Sequence, residues 1–131
     1  MIKHIFVYGT LKPGFENAYV AEQAGMVSYI EGYIEDYDLY HLEPENYPAI
    51  VPGMGRVYGG ILAFEDFEKA LKSLDELEGL ALEPPLYRRE MVKVEPLAQV
   101  AWVYVYNHKI SSASERFYLL QDGVWLGHPH R

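Results

Sequence analysis

Apolar positions recur at helical spacing over residues 67–80, FEKALKSLDELEGL. Turned at about 100° per residue, Phe67, Ala70, Leu71, Leu74 and Leu77 share one side, as a core-facing stripe requires. Lys69, Lys72, Ser73 and Glu76 take the other side, with Glu68 and Asp75 at the flanks. Asp66 fits the N-cap and Gly79 the stop. Glu78 breaks the pattern. It follows Leu71 by seven residues and Leu74 by four, so it projects from within the apolar stripe.

Elsewhere the pattern is that of strands and turns. IKHIFVY, ended by Gly9, reads as a largely buried strand. GTLKPGFENAYVAEQAG starts as a Gly/Pro turn and becomes a short helix with Gly25 past its end. VSYIEGYIEDYDLYHL gives two strands with a turn or bulge among Gly32 and Asp36. EPENYPAIVPGMG, with three prolines and two glycines, reads as a loop. RVYGGILAFE is a strand that bends at its paired glycines, and EPPLYRREMVKVEP a loop followed by an alternating strand. QVAWVYVYN is apolar on both faces, hence central. SASERFYLLQDGVWLG gives one helical turn and a final strand or extended segment.

Many strands, one long helix and one shorter one do not alternate as a doubly wound fold demands. The expected class is α+β: a small, mixed, mostly antiparallel β-barrel with two or so flanking helices, its strand glycines supplying the bends that closure needs. At 131 residues, half of them apolar, the chain is expected to form a single domain, 1–131, with one core.

Charge and composition remove several functions. A net charge of −8 argues against nucleic acid, whose affinity rests on Lys and Arg, and against an anionic membrane surface. The absence of cysteine excludes a disulfide framework, a thiolate nucleophile and a zinc–cysteine site, and fits a cytoplasmic protein. The N-terminus has no signal-peptide pattern, and no apolar run approaches the ~20 residues of a membrane span. Abundant Glu with scarce Asn and Gln leans toward a heat-adapted source.

Two places carry candidate chemistry. Glu78 reads structurally as an acid paired with an arginine, or turned outward where Gly79 breaks the helix. It reads functionally as a poorly solvated carboxylate, whose pKa rises with desolvation and which then accepts a proton near neutral pH. An unpaired buried carboxylate costs on the order of several kcal/mol, so it persists only if paired or useful. The second place is VYGTLKPG, residues 7–14, where a strand runs into Gly9 and then Thr10, the one threonine of the chain. Such a turn is either an ordinary strand exit or a run of free amides that receives a carboxylate or oxyanion. It is no Walker loop, because Phe15 stands where the lysine is required. The five histidines are scattered, and HPH near the C-terminus reads as an exposed tail. No H-E-x-x-H or G-x-S-x-G occurs. YRRE, residues 87–90, is either a cationic anchor for an acidic substrate or a solvated strand edge.

Four segments in order resemble the γ-glutamylcyclotransferase-like family: VYGTLKPG, then YPAI at 47–50, LDELEG at 74–79 and LYRR at 86–89. The resemblance spans nearly the whole chain and is closest to the short branch of γ-glutamylaminecyclotransferases and antibiotic-pathway deprotecting enzymes. It implies a small β-barrel with flanking helices. It also implies cleavage of a γ-glutamyl amide by the substrate's own α-amine, releasing 5-oxoproline and an amine, with no metal or other cofactor. Glu78 would be the general base, and Tyr8, Gly9, Thr10 and Leu11 the substrate-binding turn. Tyr87 and Arg88 would add polar contacts, the choice between Arg88 and Arg89 resting on strand register. The partner would be a small-molecule γ-glutamyl substrate. The leaving amine and the oligomeric state are not read from the sequence. Two other functions stay open: a non-catalytic barrel that binds a small acidic metabolite, and an amide hydrolase in which Glu78 activates water and releases glutamate.

Overall fold

The structure is a computed structural model and describes residues 2–80, 82–110 and 116–127. One sheet of six strands organises it, in the order β4-β5-β1-β3-β2-β6. The strands are β1 (His4–Val7), β2 (Met26–Leu42), β3 (Tyr47–Phe64), β4 (Tyr87–Val94), β5 (Gln99–Tyr106) and β6 (Phe117–Leu119). Helix α1 (Ala18–Gln23) follows β1, and α2 (Phe67–Leu77) follows β3. All pairings are antiparallel except β1 with β5. The sheet curls until mid-β2 meets the end of β4, where Tyr33 and Glu95 exchange backbone hydrogen bonds of 3.0 and 2.8 Å. The result is the expected α+β class as a half-barrel with two helices.

The twofold alternation of side chains divides the core in two. Phe6, Ile34, Ile50, Val57, Val103 and Val105 fill the barrel interior. Ile5, Val7, Leu62, Tyr87 and Tyr104 face outward and meet Phe67, Ala70 and Leu74 of α2. Each fully buried side chain of this size contributes on the order of 2 kcal/mol. The stripe on α2 is shorter than its period implies, because Leu77 lies 40% exposed where the helix leaves the sheet. Asp66 caps the helix by accepting from the Lys69 amide. Gly79, at φ +71°, turns the chain back in a conformation that a side chain would strain.

The loop expected over EPENYPAIVPGMG is instead the first half of β3. Beyond Arg56 toward the N-terminus, β3 pairs with β2 alone, because β1 reaches only its residues 60–63. Alternate residues turn their amides to the same edge, so Pro48, Ile50 and Pro52 all face the open side. Proline is tolerated there since no ladder bond is lost. The two strands expected over 27–42 are one strand with a bulge at Asp36, φ 70°. The paired glycines Gly59 and Gly60 do not interrupt β3. In the C-terminal part, the expected final strand is β6, followed by a turn at 121–122. The expected helical turn at SASER and the HPH tail fall, wholly or mostly, outside the described residues. Among the described residues no helix is long and apolar enough to cross a membrane.

Candidate active site

Glu78 caps the C-terminal end of α2, its amide bonded to the Leu74 carbonyl at 3.0 Å. It does not fray outward. It opens into a cavity of about 250 Å³ between the helix end, the turn after β1 and the open edge of β3. The carboxyl is enclosed by protein and keeps part of its surface on the cavity. No arginine holds it: among the described residues, nothing hydrogen-bonds or ion-pairs with its side chain. Desolvation first, and the nearby Asp75 second, push its pKa from 4.5 up to about 7. Such a group takes and returns protons near neutral pH.

The turn after β1 forms the facing wall with Tyr8, Gly9, Thr10 and Leu11. Gly9 is required there, because a Cβ would come within 2.2 Å of Pro48 Cγ. Proline in β3 and glycine in the turn thus fit each other. The Gly9 carbonyl accepts from the Lys12 amide at 3.0 Å, and the Thr10 carbonyl from the Asn17 amide at 2.9 Å. Asn17 Nδ2 also donates to Thr10 Oγ1 at 2.9 Å. With the turn braced through its carbonyls, the amides of Gly9, Thr10 and Leu11 donate to no acceptor among the described residues. Consecutive free amides of this kind suit a carboxylate or an oxyanion.

Tyrosines make much of the rest of the wall, and the hydroxyls of Tyr8, Tyr87 and Tyr104 are committed to the protein. Tyr8 donates to the Tyr104 carbonyl at 2.7 Å. Tyr87 donates to the Pro48 carbonyl at 2.6 Å, and Tyr104 to Asp75 Oδ1 at 2.8 Å. Burial above all raises these three phenols, so they remain protonated donors. Tyr87 therefore lines the cavity as a brace rather than through a free hydroxyl.

The contribution expected of Arg88 is corrected. Strand alternation turns it away from Tyr87, to the other face of β4, and it is absent from the cavity lining. Its Nε donates to Glu90 at 2.8 Å and one Nη to the Tyr106 carbonyl at 3.0 Å. Arg89 is the residue on the α2 side, with Nε 2.9 Å from Asp75 Oδ1. Sequence reasoning also missed Asn17, Tyr47, Pro48 and Tyr104, all in the lining. Tyr104 was open to discovery from the alternation of β5. Asn17 carries no local signal, because its partner lies seven residues back across a turn.

A segment near the C-terminus fastens the turn from behind. Trp125, 2% exposed, meets Phe15 edge-on at 5.7 Å, and its carbonyl accepts from Lys12 Nζ at 3.0 Å. Its indole donates to His41 Nδ1 at 3.0 Å.

A half-barrel with a strand-exit turn of free amides opposite a helix-end carboxylate forms a concave site of small-molecule size. Comparison with known proteins agrees. A family model described as gamma-glutamyl cyclotransferase, AIG2-like, matches residues 5–127, and the chain belongs to that family. A mouse AIG2-like protein of known structure is 29% identical, with a TM-score of 0.72 over 98% of this chain and 92% of its own. The YtfP protein of Escherichia coli is 27% identical, with a TM-score of 0.59 over 94% and 96%. An uncharacterised protein of Pyrococcus horikoshii, 22% identical, shares the fold with a TM-score of 0.70 over 95% and 90%. No curated protein sequence matches the chain significantly. Family membership points to γ-glutamyl cyclotransferase-type activity on a small γ-glutamyl substrate.

Proposed function

We propose that the protein is a γ-glutamyl cyclotransferase that cleaves a γ-glutamyl amide into 5-oxoproline and a free amine, with Glu78 as the proton shuttle. The observation that carries this reading is the unpaired Glu78 carboxyl, with its pKa near 7, opening on a cavity opposite free backbone amides. The substrate enters with its α-amine as an ammonium. Glu78 removes a proton, and the amine nitrogen bonds to the substrate's own γ-carbonyl carbon. The carbonyl electrons move onto oxygen and return as the γ-amide C–N bond breaks. The proton held by Glu78 goes to the departing nitrogen, and Glu78 then takes the second proton that the ring nitrogen sheds in becoming a lactam N–H and passes it to the released amine, which leaves as an ammonium. No protein nucleophile and no water are consumed, which accords with a chain lacking cysteine and a serine elbow.

The attack is intramolecular, so folding the substrate correctly supplies much of the rate. The amides of Gly9, Thr10 and Leu11 hold negative charge on the substrate, either its α-carboxylate or the developing oxyanion. Tyr8 and Tyr87 shape the cavity and exclude water. Incubation with a panel of γ-glutamylamines and γ-glutamyl dipeptides, followed by product analysis, tests the reading. Release of 5-oxoproline is expected. Release of glutamate would establish a hydrolase in its place, and binding without turnover across the panel a metabolite-binding barrel.

A further inference from the structure

Among the described residues, the charged group that acts on Glu78 is Asp75, a single helical turn earlier on α2, while Glu16 and Glu45 line other parts of the same cavity. The other titratable groups that feel Glu78 are phenols: Tyr8 after β1, Tyr47 on β3, Tyr87 on β4 and Tyr104 on β5. Asp75 is itself held from two strands. Tyr104 donates its hydroxyl to Oδ1 at 2.8 Å, and Arg89 brings Nε to 2.9 Å from the same oxygen. The Arg89 guanidinium is fixed over the Trp102 ring, 5.0 Å from its centroid. Two carboxylates one turn apart repel each other, and a cation seated on one of them offsets that repulsion without bonding to the other.

We propose that Asp75, Arg89 and Tyr104 form a charge-balanced unit that sets the proton affinity of Glu78. Asp75 acts across the helical turn, while Arg89 and Tyr104 fix how much of its charge Glu78 feels. The proposal rests on the reading of Glu78 as the proton shuttle and makes Asp75 and Arg89 positioning residues. It also gives the arginine pair at 88–89 divided duties. Arg89 serves the site through Asp75, while Arg88 pairs with Glu90 on its own strand and donates to the Tyr106 carbonyl of β5.

Carbon-13 NMR titration of the Glu78 side-chain carboxyl in the intact protein tests it, with Glu78→Gln assigning the signal. Asp75→Asn should lower the midpoint and Arg89→Met raise it, each by about one pH unit for charges at this range. The double variant should return between them, and Arg89→Lys should stay near wild type. Should Arg89→Met fail to fold, Tyr104→Phe removes only the hydroxyl and should move the midpoint upward. Unmoved midpoints in the Asp75 and Arg89 variants, or shifts of the same sign, overturn the proposal. The titration needs no turnover. These shifts in a protein that releases no 5-oxoproline would sink the catalytic reading and leave the charge balance standing.

Discussion

The end of α2 and the far end of β2 each bring a titratable side chain into apolar surroundings, and the two are treated in opposite ways. His41 is fully buried and has neighbours at both ring nitrogens. Trp125 donates to its Nδ1 at 3.0 Å, Glu43 Oε1 lies 3.3 Å from its Nε2, and the Trp125 ring stacks at 21°. Glu78 is only partly buried, and its carboxyl faces a cavity with no partner among the described residues. A buried polar group with its bonds made holds two segments together at little net cost. One left unbonded beside open volume destabilises the fold and stays reactive. On the proposed function the chain thus separates a fastening site from a reacting site, and substitution at each should read out differently.

The largest effect is expected from Glu78→Gln. Loss of a general acid–base typically lowers turnover 10²- to 10⁴-fold. 5-Oxoproline release should fall by about that factor while the circular dichroism spectrum stays that of wild type. A Gln variant that still turns over a good γ-glutamylamine would erase the distinction between the two sites.

The next effect is on stability and follows from the raised pKa. The folded state binds the Glu78 proton more tightly than the unfolded state, whose group titrates near 4.5. The stabilising contribution is therefore complete below about pH 4.5 and is lost as pH rises through about 7. That displacement corresponds to on the order of 3 kcal/mol. Urea unfolding across this window should show wild type losing stability relative to Glu78→Gln, with the variant equal or more stable above neutrality. Marked destabilisation of the variant would mean that Glu78 is a structural residue after all.

The smallest effect sharpens the contrast from the other side. Trp125→Phe removes the indole donor, leaves His41 Nδ1 without it and keeps the backbone carbonyl that Lys12 uses. Unfolding free energy should fall by about 1–3 kcal/mol. The pH dependence of turnover should not move, and a shifted profile would mean that His41 and Glu78 are coupled.

What the sequence disclosed and what it hid follow a physical division. Glu78 stood out because a helix imposes a period and one charge violated it. The turn at Gly9 stood out because glycine after a strand has a local meaning. β3 was misread because proline is a strand breaker only where a ladder bond is at stake, and the open edge at Pro48 and Pro52 is a tertiary fact. Whether Arg88 or Arg89 faces the helix was hidden because a shift of one residue exchanges the faces of a strand, and neither lines the cavity. The clasp of Trp125 on Lys12 joins residues 113 positions apart, and nothing near either one announces it.

That clasp also orders events in time. A growing chain that has folded through β5 already holds Glu78 and the amides of Gly9, Thr10 and Leu11. It does not yet have the indole for Phe15 or the carbonyl for Lys12. Translation therefore delivers the groups proposed to react before the residue that steadies them.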